Sequence, residues 1–180
     1  MTVLNYLKVC DNPLQDIPMA AVLASPIVGM DDEELAQIRS AFKGVSFAQA
    51  ALSAMAGEDG YEDEKLKAFA LVFERLRGAV ADTPIHELLY MMLDETGFYR
   101  YASAMPAGKR RRQNIDMLIE MAAAYEKTSY KGLFHFVRYI DIQQKYEIDY
   151  GEADTAGEND DVVRIMTIHK SCLLYTSRCR

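Results

Sequence analysis

Large apolar residues between positions 61 and 81 recur in alternating steps of three and four. They are Leu66, Phe69, Phe73, Leu76 and Val80. Because an α-helix makes one turn in about 3.6 residues, this spacing places all five side chains on one face. The pattern predicts a long amphipathic helix over 61–81, with this face turned inward.

Helix start and stop signals lie on both sides of this stripe. Asp31 with Glu34, and Ser46 with Gln49, have the spacing of capping boxes, which predicts helices to about 42 and 55. Thr83-Pro84 is predicted to be an N-cap followed by a first-turn proline. Further helices are predicted at 2–9, at 17–24, from Ile85 to a stop at Gly97, from about 106 to 127 and at 131–146. The segment 1–146 is therefore expected to be all-α.

The residue pattern changes after position 146. Residues 147–161 carry seven acids and no base, which is typical of a solvated linker. Residues 162–168 are β-branched and apolar, and they predict a strand. We therefore expect a helical domain, an acidic linker over 149–161, and then one strand over 162–171 that begins a second, α/β domain.

The last nine residues, 172–180, do not continue the preceding pattern. The string Cys-Leu-Leu-Tyr-Thr-Ser at 172–177 resembles one translated frame of a transposase adapter from shotgun sequencing libraries. We expect 172–180 to be non-native, comparable to an expression tag, with a divergent natural tail as the alternative. Two of the three cysteines lie in this stretch, so neither a disulfide framework nor a zinc site is expected.

Overall composition and charge limit the functional classes. The 180 residues are 50% hydrophobic and 26% charged, which is typical of a globular chain. The net charge of −7 excludes a uniformly basic nucleic-acid coat but not a local basic patch. No apolar stretch reaches the length of a membrane span, and no signal peptide is evident. We expect a cytoplasmic protein without membrane contact.

The chain offers no recognisable catalytic site. A phosphate loop needs a glycine five residues before its Gly-Lys pair, and Gly108-Lys109 has Ser103 there. Met91 to Glu95 imitates the ATPase strand that ends in Asp-Glu, but these residues continue the helical spacing of those before them. His86 and His135 have no evident catalytic partner. We therefore expect no catalytic residue, no cofactor site and no metal site.

The run Lys109-Arg110-Arg111-Arg112 is the densest basic cluster in the chain. It falls near a predicted helix start, where each cation opposes the helix dipole at a cost of about 0.3 kcal/mol or more. Arginine side chains and backbone N–H groups at such a position can hold DNA phosphates. The run is therefore a candidate DNA-backbone site, and the alternative is a solvated charged turn.

A motif near the C-terminus indicates a family. Val163 to Ser171 reads Val-Arg-Ile-Met-Thr-Ile-His-Lys-Ser and resembles motif V of superfamily 1 DNA helicases of the UvrD/RecB group. A strand would place Thr167 and His169 on one side, where both can hydrogen-bond a DNA phosphate. In the family the motif continues Lys-Gly-Leu-Glu, and the glutamate contacts the nucleotide. This chain has Cys172 in place of the lysine, and the glycine and glutamate are missing.

The helical segment carries the same resemblance. Asp11 to Pro18 and Val22 to Gly29 are similar to the entry into the 2B subdomain of these helicases, and the first is most similar to AddA subunits of AddAB helicase–nucleases. Arg112 to Leu118 and Leu133 to Val137 resemble later 2B helices. The resemblance covers 1–171. It implies the end of a RecA-like 2A segment at 1–10, a 2B-like subdomain at 11–148 and the start of motif V at 162–171.

The resemblance implies a fragment of an ATP-dependent 3′-to-5′ DNA helicase and exonuclease, inactive by itself. The parent would use ATP and Mg²⁺, pair with an AddB-like partner and resect double-strand breaks for recombinational repair. By the same resemblance, Thr167 and His169 would contact single-strand phosphates, whereas Gly29 and Lys109 to Arg112 would contact duplex backbone. The competing hypothesis is a helical protein-interaction domain with no DNA role, favoured by the 16 bases against 27 acids in 1–161.

Overall fold

The computed structural model describes residues 1–128 and 132–145, which are predominantly helical. Their helices are α1 (Thr2–Asp11), α2 (Asp16–Leu23), α3 (Asp32–Ala41), α4 (Phe47–Met55), α5 (Glu64–Ala79), α6 (Ile85–Glu95), α7 (Phe98–Ala104), α8 (Gly108–Tyr125) and α9 (Leu133–Lys145), with a 3₁₀ turn at Glu58–Gly60. The all-α prediction is confirmed over these ranges. The predicted linker, strand and tail lie outside the described residues.

Both predicted capping boxes are present, and each begins its helix at the expected place. The Asp31 carboxylate accepts a hydrogen bond from the Glu34 N–H at 2.8 Å, and the Asp31 N–H donates to the Glu34 carboxylate at 2.8 Å. Ser46 and Gln49 exchange equivalent bonds at 3.3 and 3.1 Å. Each box satisfies N–H groups that the first turn of a helix leaves unpaired.

The predicted stripe on α5 faces the centre of the domain. Leu66, Phe69, Phe73 and Leu76 are all buried. Phe69 stacks on Phe73 with their ring centroids 5.6 Å apart, and the Tyr6 ring of α1 meets Phe69 edge-on at 5.9 Å. These aromatic contacts join α1 and α5 in an apolar core that the other helices also line.

Helices α1 and α9 pack side by side, although the rest of the described chain lies between them. Lys8 of α1 and Asp141 of α9 form an ion pair at 2.6 Å. Helix α1 also packs against α2 and α5, and its Tyr6, Leu7 and Val9 are each only 1% exposed. Residues 1–10 therefore belong to the helical core, whereas a subdomain boundary after residue 10 stays a prediction that rests on the resemblance.

The chain after α6 differs from its prediction. A seven-residue helix, α7, follows Gly97, where only a helix stop was predicted. Gly97 adopts a left-handed φ of +64°, which glycine tolerates without steric cost. It therefore ends α6 and turns the chain directly into the next helix.

The start of α6 also differs from its prediction by one residue. Thr83 is not the N-cap, since Pro84 occupies that position with extended ψ and Ile85 is the first helical residue. Pro84 has no side-chain acceptor, and the Ile85 N–H instead donates to the carboxylate of Glu126.

No helix within the described ranges combines the length and apolar character needed to cross a membrane.

Candidate nucleic-acid interface

The predicted basic run lies at the start of α8 and faces solvent. Lys109, Arg110, Arg111 and Arg112 are all exposed. The first turn holds no acidic residue, and the N-cap, Ala107, has no side-chain acceptor to offer. Backbone N–H groups in a first turn have no partner within their own helix. The start of α8 therefore combines four cations with the positive end of a helix dipole.

A tight turn between α7 and α8 sets the direction of the basic run. Ala107 has a left-handed φ of +56°, which is uncommon for a residue with a side chain. A Cβ on Gly108 would lie 1.9 Å from the carbonyl oxygen of Ser103, so only glycine fits there. Arg111 Nε donates to the carbonyl oxygen of Pro106 at 3.1 Å. These contacts hold the first turn of α8 against the end of α7.

Tyr99 of α7 connects to the middle of α8. Its hydroxyl donates to Asp116 Oδ1 at 2.9 Å. The pKa of the Tyr99 phenol is raised, first by burial and then by the bond to Asp116, while the charge of nearby Arg112 lowers it. Arg112 and Asp116 are one helical turn apart, so both face α7 from the same side of α8. The bond to Asp116 therefore fixes the Tyr99 ring against the first half of α8.

Gly29 lies in the loop between α2 and α3 with a left-handed φ of +74°. Its N–H donates to the carbonyl oxygen of Ser25 at 2.7 Å, and the hydroxyl of the buried Ser25 donates to the Val22 carbonyl oxygen at 2.7 Å. The space that a Cβ would occupy at Gly29 is open, so backbone conformation favours glycine here. The loop is held from inside and is exposed at Gly29.

Lys65, at the start of α5, fastens this loop to the α3 capping box. Its Nζ donates to the Gly29 carbonyl oxygen at 3.0 Å and to the Glu34 carboxylate at 2.6 and 2.8 Å. The hydrogen bond between them lowers the pKa of Glu34 and raises that of Lys65. Sequence reasoning missed Lys65, because an exposed lysine 36 residues from Gly29 resembles any solvated lysine on the polar face of a helix.

The predicted DNA-contacting residues are not brought together in one group. Helix α8 packs against α6 and α7, whereas the Gly29 loop is tied to α3 and α5 through Lys65. Thr167 and His169 lie outside the described residues. The basic run at 109–112 and the Gly29 loop therefore belong to different helix groups.

Residues that imitate catalytic groups make structural contacts. Met91 to Glu95 is helical, which confirms its interpretation as part of an amphipathic helix. Glu95 Oε1 accepts from Arg75 at 3.3 Å, and His86 contacts the carboxylate of Glu126. Across 1–128 and 132–145, no group of three or more His, Cys, Asp and Glu side chains could hold a metal ion. These residues therefore stabilise the helix packing.

No protein-family model matches the chain. Curated relatives named as the A subunit of ATP-dependent helicase/nuclease, AddA, do match: the chain is 46% identical over 170 residues to that of Anoxybacillus flavithermus, 44% over 172 to that of Bacillus cytotoxicus, and 42% over 170 to that of Bacillus velezensis. Each comparison covers 93% of this chain. The chain matches a fragment of AddA. The AddA resemblance is thereby confirmed.

The chain spans 14% of the length of these curated relatives. It therefore corresponds to one segment of an AddA protein, built from helices over 1–128 and 132–145. Two exposed features of this segment were predicted to contact DNA: the start of α8, which carries four cations, and the Gly29 loop, which is followed by the acidic first turn of α3. The helices beneath both features are packed into one apolar core, which gives each feature a rigid support.

Proposed function

We propose that this AddA segment contributes sequence-independent contacts to the DNA backbone. The observation that carries the proposal is the start of α8, where four exposed cations occupy a turn without an acid. Cations at this end of a helix oppose the helix dipole, and an anion that binds there interacts favourably with both the cations and the dipole. DNA phosphate supplies that anion, and phosphate contacts position a protein without reading bases.

The Gly29 loop is proposed as a second, weaker contact with duplex backbone. Lys65 holds the Gly29 carbonyl oxygen from below, so the loop keeps its shape without a ligand. A preformed loop binds without an ordering cost. Thr167 and His169 are proposed to contact single-strand phosphates, as the motif V resemblance implies.

The whole AddA protein is proposed to be a cytoplasmic ATP-dependent 3′-to-5′ helicase and exonuclease that resects double-strand breaks with an AddB-like partner. ATP and Mg²⁺ are assigned to other segments of that protein. Gly108-Lys109 does not fit a phosphate loop, because Ser103 occupies the position where the loop needs its first glycine. No step of that reaction is assigned to residues of this chain.

The alternative, a protein-interaction domain without a DNA role, is favoured by the acidity of 1–161. It predicts that the exposed cations of α8 have no effect on DNA binding. The DNA proposal predicts the opposite, because each phosphate contact releases counterions and makes binding depend on salt. A titration against salt therefore separates the two.

The test uses the full chain and a fluorescein-labelled DNA duplex. We expect a dissociation constant of about 10⁻⁴ M or weaker at physiological salt. Replacing Lys109 to Arg112 with glutamine should weaken binding and reduce the salt slope by roughly one unit for each phosphate interaction removed. The charge-matched control replaces four exposed cations elsewhere: Lys43, Lys67, Lys127 and Arg138. Equal weakening of DNA binding in both variants would contradict the proposal and favour a solvated charged turn at 109–112.

A further inference from the structure

The four cations of the basic run do not occupy equivalent positions on α8. Gly108 and Ile115 are buried and mark the side of the helix that faces the core. Arg111 and Arg112 lie within one helical turn of both, so their stems begin at the two edges of that side, whereas the first two cations of the run begin on the opposite side. Only the last two cations therefore start next to neighbouring backbone.

Arg111 is held by the turn that precedes α8. Its Nε donates to the carbonyl oxygen of Pro106 at 3.1 Å, and its backbone N–H donates to the carbonyl oxygen of Ala107 at 3.0 Å. The turn itself cannot move away from α7 or closer to it by much, because Gly108 lies directly against the Ser103 carbonyl oxygen. The backbone of the turn therefore sets the direction of the Arg111 side chain.

The bond to Pro106 leaves the charge of Arg111 available to an anion. A carbonyl oxygen is neutral, so it fixes the guanidinium without neutralising it. Within 1–128 and 132–145 no acid forms an ion pair with Arg111, and the residues one turn further along α8, Asn114 and Ile115, are uncharged. Arg112, in contrast, lies one turn before Asp116, whose negative charge opposes an incoming anion.

A guanidinium fixed in this way is suited to one kind of ligand. With Nε engaged, Nη1 and Nη2 remain as a planar fork that matches two oxygens of a phosphate. The Arg111 side chain is exposed, so a phosphate of a DNA backbone can reach this fork. Because the side chain is already oriented, it loses less conformational entropy on binding than a freely rotating cation does.

We propose that Arg111 is the phosphate anchor of the basic run, binding one backbone phosphate through Nη1 and Nη2 while Nε stays on the Pro106 carbonyl oxygen. This rests on the proposed function and assigns unequal roles to its four cations. Lys109, Arg110 and Arg112 add attraction that depends on charge alone. A lysine can replace any of these three, but it cannot replace Arg111, because an ammonium has neither the fork nor the Nε donor.

The test compares three substitutions that keep every charge: Arg110→Lys, Arg111→Lys and Arg112→Lys. Binding of the fluorescein-labelled duplex to the full chain is measured at roughly 50 mM salt, where phosphate contacts bind more tightly. We expect Arg111→Lys to weaken binding about tenfold and the other two to change it less than about twofold. The salt slope should be the same in all three variants, since no charge is removed.

A second measurement examines the anchor in the unsubstituted chain. Nuclear magnetic resonance of the ¹⁵N-labelled chain resolves arginine Nε–H groups, and that of Arg111 should exchange with water more slowly than that of Arg112, because it is hydrogen-bonded. Circular dichroism and thermal melting establish that the lysine variants fold. Equal binding by the three variants, or an Arg111 Nε–H that exchanges as fast as that of Arg112, would overturn the anchor.

The glutamine variant of Lys109 to Arg112 reports separately on the proposed function. If that variant loses duplex binding while the three lysine variants bind alike, the anchor fails and the proposed function stands. If it binds duplex as the unsubstituted chain does, the proposed function fails. Absence of duplex binding by the unsubstituted chain at roughly 50 mM salt would overturn both.

Discussion

Glu126 at the end of α8 caps the helix that begins with Ile85, although 41 residues separate them. Its carboxylate accepts the Ile85 N–H with one oxygen and contacts His86 with the other. A negative charge at a helix start also interacts favourably with the dipole. One side chain therefore couples the start of α6 to the end of α8.

Removing this distant cap should destabilise the domain. We expect Glu126→Ala to lower the free energy of unfolding by about 1 kcal/mol, because the Ile85 N–H loses its acceptor. Glu126→Gln, which keeps a neutral acceptor, should lose less. Urea denaturation measures both, with Glu120→Ala, an exposed change on the same helix, as the control. A Glu120 variant as unstable as the Glu126 variant would contradict the capping role.

Two glycine-to-alanine changes should have opposite effects. Gly108→Ala places a Cβ 1.9 Å from the Ser103 carbonyl oxygen, and overpacking against backbone should cost about 3 kcal/mol. Gly78→Ala lies within α5 with no atom near its Cβ, so it should stabilise the helix by about 0.5–1 kcal/mol. Thermal melting checks both signs. A Gly108→Ala protein that melts at the parent's temperature would show that the α7–α8 turn can shift to accept a side chain.

Tyr6→Phe should stabilise the domain. The Tyr6 hydroxyl is buried and has no hydrogen-bond partner among the described residues, while the ring packs edge-on against Phe69. Phenylalanine keeps the ring contact and removes an unsatisfied polar group, which should add about 1 kcal/mol. The measurement is the urea midpoint, at unchanged denaturant dependence. A lower urea midpoint for Tyr6→Phe would contradict this prediction and indicate that the Tyr6 hydroxyl has a hydrogen-bond partner.

The domain should lose stability in alkaline solution through two buried groups. Burial raises the pKa of the Cys10 thiol to about 12, and burial also raises the pKa of the Tyr6 phenol. An unfolded chain releases these protons near pH values of about 8.5 and 10, whereas the folded chain retains them. Their contribution is therefore complete below about pH 8.5 and is lost as pH rises through the folded values. The free energy of unfolding, measured from about pH 8 to 11, should fall less steeply in Cys10→Ala than in the unsubstituted chain.

Local sequence signals were enough to predict most helices. They were not enough to predict contacts between segments that are distant in the sequence. The capping boxes at Asp31 and Ser46 involve partners three residues away, so their residue types determine them directly. Helix α7 was missed because it has seven residues and no capping side chain, and Gly97 alone is typical of a helix end. The cap from Glu126 has no local signature at all.

The same distinction applies to the candidate site. The basic run is contiguous, so its place at a helix start could be predicted from its neighbours. The bond from Tyr99 to Asp116 joins residues 17 positions apart, and only the packing of α7 on α8 brings the two side chains together. Lys65 likewise meets Gly29 only because α5 folds back beside the α2–α3 loop.

The ion pair between Lys8 and Asp141 shows that α1 and α9 lie close together in space. The order of the helices along the chain could therefore be changed by circular permutation. Thr2 lies about 9 Å along α1 from Lys8, and Lys145 lies about 6 Å along α9 from Asp141. A flexible linker of about ten residues is long enough to join these two positions. The chain could then be opened in the exposed turn at Glu58–Gly60, giving a circular permutant in which α1 and α9 become consecutive helices. In that permutant, the linker would connect α9 directly to α1. Their contact would then close a short loop instead of one that spans the described chain.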